Sequence, residues 1–120
     1  MNILIATDGS EYASNALDFM LSFPFPRDSK MTVLTVVDDV PMLQAELDAL
    51  NDEQSEALKV ATSRLHEEAE ELVAREGARL RNDDWPGETM VRSGKPADEI
   101  LRAAEEIDAD LIVLGSHGTG

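Results

Sequence analysis

The sequence predicts an α/β fold, a doubly wound parallel sheet with helices on both faces. Three observations carry that prediction. Short apolar runs alternate with longer stretches of helical periodicity in the order β-α-β-α-β-α-β. The runs are apolar at successive positions, as in strands covered on both sides, and do not alternate with polar residues. Each junction carries turn chemistry, so the strands are joined by helices in right-handed crossovers.

The first element is NILIAT over residues 2–7, ended by Asp8-Gly9-Ser10. Ser10 is a favourable N-cap, and Ala13, Ala16, Leu17, Met20 and Leu21 recur at helical spacing behind it. Phe23-Pro24-Phe25-Pro26 stops this helix, because a proline disfavours helical backbone in the residue before it. MTVLTVV over residues 31–37 is the second strand, closed by Asp38-Asp39.

Residues 40–77 read as helical, with Leu43, Leu47 and Leu50 on one stripe and Leu58, Ala61, Leu65, Ala69 and Leu72 on another. Asn51-Asp52 leaves open whether this is one helix or two. Glu67, Glu68, Glu70 and Glu71 mark its solvated side. NDDWPG over 82–87 is a turn cluster, and ETMVRS over 88–93 is a short strand. Pro96 stands at a first helical position, ahead of the apolar face of Ala97, Ile100, Leu101, Ala104 and Ile107. Residues 111–114 form the fourth strand.

The chain's 120 residues suffice for one core, and 42% of them are apolar. Acidic residues number 25 against 10 basic ones, a formal net charge of −15 that disfavours nucleic acid and anionic membranes as partners. Seven of the ten basic residues are arginine, and an acidic, lysine-poor surface is the pattern of proteins adapted to concentrated salt, where screening relieves self-repulsion. With no cysteine, disulfides and thiolate chemistry are excluded. The N-terminus has no basic region and too short an apolar run for a signal peptide or membrane span, so a cytoplasmic location is expected.

In a doubly wound sheet, ligands bind beyond the carboxyl ends of the strands, where strand order reverses. Asp8, Asp38 and Gly115 fall at such ends. Gly115-Ser116-His117-Gly118-Thr119-Gly120 is a glycine turn whose backbone N–H groups suit a phosphate, and His117 can donate to it. The Asp8 carboxylate suits a ribose hydroxyl, a base or a divalent ion, although Asp in Asp-Gly-Ser also commonly bonds its own turn. Asp38 and Asp39 are weaker candidates for supporting a metal-bound nucleotide. Ser10 beside Asp8 reads as a cap rather than a nucleophile, and His66 as a surface residue. Gly94-Lys95 is not a P-loop, since Thr89 replaces the required glycine and Pro96 the required Ser or Thr; Gly9 alone does not make a dinucleotide fingerprint.

ILIATDGSE, LTVVDD, SGKPADEIL and ADLIVLGSHG together resemble the universal stress protein family along essentially the whole chain. The resemblance implies a five-stranded, Rossmann-like sheet of the adenine nucleotide alpha hydrolase type, commonly a homodimer, with ATP-binding and nucleotide-free branches. On the ATP-binding pattern, Asp8 contacts adenosine together with backbone from Ala6 and Thr7, and Val36 lines the adenine pocket. Backbone of Gly115, Ser116, His117 and Gly118 holds ribose or phosphate, and Mg²⁺ or Mn²⁺ accompanies the phosphates. The pattern's later glycine-serine stretch does not occur, so a missing C-terminal segment with the last helix and strand is expected, leaving the fourth strand as an apolar edge. The resemblance implies a nucleotide-linked regulatory module with little or no hydrolysis, the alternatives being a nucleotide-independent association module and a slow ATP phosphohydrolase.

Overall fold

A computed structural model of the chain describes residues 1–38 and 44–115. Within them the elements run β1 (Asn2–Thr7), α1 (Glu11–Leu21), β2 (Lys30–Val37), α2 (Gln44–Asp48), α3 (Asp52–Asn82), β3 (Gly87–Ser93), α4 (Pro96–Glu106) and β4 (Leu111–Gly115). The strands form one parallel sheet in the order β3-β2-β1-β4. The chain thus steps outward from β1 through β2 to β3, then returns to the other side of β1. That reversal lies between β1 and β4, which is where this class of sheet opens a crevice.

Helices cover both faces, as the unbroken apolar strands require. α1 packs on β1 and β4, and α3 on β2 and β3. Between them and the sheet lies the larger core, centred on Ile3, Ile5, Leu17, Met31, Val33, Val73, Leu80 and Trp85. On the opposite face, Ala103 of α4 seals Leu4 and Leu34. Each such large side chain, taken fully from water, contributes about 1.5–3 kcal/mol, so the central strands β1 and β2 hold most of the apolar stabilisation.

Local signals set several boundaries. Ser10 caps α1 through a 3.1 Å bond from the Ala13 N–H to its Oγ. The Asn51-Asp52 ambiguity resolves into two helices: Asn51 accepts from the Gln54 N–H at 2.7 Å while Gln54 accepts from the Asn51 N–H at 3.0 Å. This reciprocal capping box starts α3 afresh. Pro96 occupies the first turn of α4.

Two expectations are corrected. α3 runs through Gly77 to Asn82, because Gly77 lies against Thr89 of β3 and a Cβ there would come within 2.8 Å of that side chain. The buried stripe of α3 is Ala69, Val73, Gly77 and Leu80, whereas Leu65 is 46% exposed and Ala61 is exposed. A helix of 31 residues is roughly 46 Å long at 1.5 Å per residue, far longer than the strands it covers, so its first half extends beyond the sheet. β4 is an edge of the described sheet, as expected, and Leu114 is 63% exposed. Leu43 and Asp39 lie outside the described residues.

Candidate nucleotide site

The carboxyl end of β1 is built from short-range bonds. The Asp8 Oδ1 accepts the Ser10 N–H at 2.9 Å, and the Gly9 N–H donates to Thr7 Oγ1 at 3.2 Å. Gly9 adopts a φ of +80°, a conformation that favours glycine. The turn-forming role of Asp8 is therefore realised, and the residue is exposed. Ser10 Oγ is occupied as a cap.

A second tie joins strands. Thr35 Oγ1 of β2 donates to the Thr7 carbonyl oxygen at 2.5 Å, locking the ends of β1 and β2 together. Val36 follows, half-buried against the smaller core. Ala6 is 7% exposed and pairs with Leu34 on one side and Leu114 on the other. Register then sets Thr7 opposite Gly115, so the last described residue of β4 stands beside the turn that carries Asp8.

Asp8, Thr35 and Val36 border a cleft of about 370 Å³ that Val37, Asp38, Leu65, Glu68, Ala69 and Leu72 also line. Its apolar walls come from Val37, Leu65 and Leu72, suited to the flat face of a base, with the Asp8 carboxylate among its lining. Three carboxylates and no Lys or Arg line it. Like charges 4 Å apart repel by about 1 kcal/mol in water and about 4 kcal/mol in a partly desolvated site, so a polyphosphate here requires a cation. Among the described residues no group of three or more His, Cys, Asp or Glu side chains is placed to hold a metal ion.

Gly115 has a structural role that its position in a glycine-rich turn conceals. A Cβ on it would approach the Ala13 Cα to 2.9 Å and the Ala13 Cβ to 3.1 Å. The residue lets α1 pack closely on the end of β4. Ser116, His117 and Gly118 lie outside the described residues. The structure therefore brings Ala6, Thr7, Asp8, Val36 and Gly115 to one end of the sheet.

One polar pair was invisible in sequence. His66 of α3 and Ser93 at the end of β3 are 27 residues apart, yet His66 Nε2 lies 2.8 Å from Ser93 Oγ. No spacing rule connects them; only the packing of α3 on β3 does.

The model of the universal stress protein family matches residues 1–120. The universal stress protein YxiE of Bacillus subtilis is 28% identical over 128 residues, covering 97% of this chain and 78% of its own. A universal stress protein family structure from Burkholderia pseudomallei superposes with a TM-score of 0.75 at 27% identity, covering 97% of this chain and 81% of that one. A universal stress protein family structure from Arabidopsis thaliana with AMP bound shares the fold at a TM-score of 0.66 and 16% identity, over 100% of this chain and 79% of that one.

Proposed function

This chain belongs to the universal stress protein family, and we propose that it binds ATP, with Mg²⁺ or Mn²⁺, as a regulatory stress-response module with little or no hydrolysis. The observation that carries this reading is the convergence of Asp8 and Val36 on one cleft at the carboxyl ends of β1 and β2, with Gly115 in register opposite Thr7. The AMP-bound Arabidopsis structure of the same fold supports an adenine nucleotide as the ligand class.

In this reading Val36 borders the base through its backbone and Leu72 contacts it from α3, the Asp8 carboxylate accepts from the ribose, and backbone from Gly115 through Gly118 meets the phosphates. The metal ion supplies charge neutralisation. The described residues that line the cleft offer carboxylates but no histidine, lysine or arginine, which supports the reading of binding with little hydrolysis. Nucleotide occupancy would act by shifting a conformation or a protein contact.

The test is calorimetric titration of ATP at high salt, with and without Mg²⁺, on the protein and on Asp8→Ala. Saturable, metal-dependent binding that weakens in the variant is expected. A folded protein that takes up no ATP under either condition overturns the proposal.

A specific observation also favours self-association. Leu114 on β4, an edge strand of the described sheet, is 63% exposed. Homodimerisation over this apolar edge fits the nucleotide-free alternative as well as the ATP-binding one. Sedimentation of the protein against Leu114→Asp tests it, with a dimer expected to become a monomer.

A further inference from the structure

We propose that Ser93 and His66 form a nucleophile–base pair that accepts an acyl group from small neutral or cationic carboxylic esters, an activity separate from nucleotide binding.

The hydrogen bonds assign the roles. His66 Nδ1 lies 3.3 Å from the Thr62 carbonyl oxygen, which only accepts, so Nδ1 carries the proton of the neutral ring. Nε2 is then an acceptor, and at 2.8 Å it accepts from the Ser93 hydroxyl. A hydroxyl donating to an imidazole whose far nitrogen is oriented by a third group is the arrangement that activates serine. Ser93 is exposed at the end of β3, open to a ligand.

The surroundings select the substrate. Ser93 pairs in register with Val37, and Val37, Asp38, Leu65 and Glu68 line the neighbouring cleft. Val37 and Leu65 provide apolar contact for a short acyl chain, while Asp38, Glu67 and Glu68 repel anionic donors.

The step is an acyl transfer. His66 Nε2 takes the Ser93 proton as Oγ bonds to the ester carbonyl carbon. The bond from that carbon to the leaving oxygen breaks, the departing alcohol receives the proton, and the acyl group stays on Ser93. Release requires water to repeat the attack. The Gly94 N–H, the nearest backbone donor in sequence, is already bonded to the Val37 carbonyl at 3.0 Å. Each oxyanion donor is worth roughly 10²–10³ in rate, so its engagement elsewhere makes the pair a slow-turnover acyl acceptor.

The experiment incubates the full chain with p-nitrophenyl acetate, follows nitrophenolate release, and locates the acetyl group by peptide mass. One acetyl per chain on Ser93 is expected, lost in Ser93→Ala and formed roughly 10²-fold more slowly in His66→Gln, the usual scale of general-base assistance. Ser93→Cys retains a nucleophile at the position, and its acetylation must also slow when combined with His66→Gln. Acetylation confined to lysines and the N-terminus, or rates indifferent to His66→Gln in both backgrounds, overturns the pair. None of these readouts depends on ATP binding.

Discussion

Asp8 and Gly115 show how one residue serves local structure and a ligand site together. Asp8 organises its turn through the Ser10 N–H and still faces the cleft, so Asp8→Ala removes a charged acceptor from the ribose. Hydrogen bonds to charged groups are worth about 1.5–3 kcal/mol, which corresponds to a loss of roughly 10- to 10²-fold in ATP affinity by calorimetry. Gly115→Ala is expected to act on stability instead. Its Cβ meets the backbone Cα of Ala13 at 2.9 Å, which no side-chain rotation relieves, so α1 must move away from β4. The cost of such overpacking is about 1–3 kcal/mol, read as a lower urea midpoint at unchanged slope. An unchanged midpoint would leave the glycine with no packing role.

At the level of elements, α3 has two halves held by different forces. Residues from Ala69 to Leu80 are anchored by burial against β2 and β3, and Arg79 ties this half to α1 through Ser14 and Asp18 while also pairing with Glu76. The first half depends on its capping box and on helix propensity. Asn51→Ala is therefore expected to cost about 1 kcal/mol, confined to that end. Hydrogen exchange checks this: amides in the first two turns should exchange several-fold faster while those around Val73 and Leu80 stay unchanged. Uniform acceleration along α3 would mean that the halves unfold together.

Over the whole molecule the dominant feature is charge. A net charge of −15 on 120 residues makes the compact state self-repelling at low ionic strength. The screening length falls from about 10 Å at 0.1 M salt to about 3 Å at 1 M, which removes repulsion between separated carboxylates such as those on the exposed side of α3. The protein is therefore expected to gain stability from 0.1 to 1 M KCl, measured as a rising urea midpoint. A flat or falling midpoint would show that the excess acidic charge does not limit stability. No helix among the described residues is long and apolar enough to cross a membrane.

The sequence by itself determined the order of the strands and of the helical segments between them, the cap at Ser10, the helix start at Pro96, and the family resemblance, because apolar periodicity and turn chemistry act within a few residues. It also placed Asp8 and Gly115 at strand ends. Tertiary structure decided the order β3-β2-β1-β4, and with it that Thr7 faces Gly115 and that β4 lies at an edge with Leu114 exposed. It decided that Val36 shares a cleft with Asp8, that Gly115 is needed against Ala13, and that His66 meets Ser93. These contacts join residues that lie far apart in the chain. Parallel pairing and helix-on-sheet packing bring them together, and neither leaves a mark in local spacing.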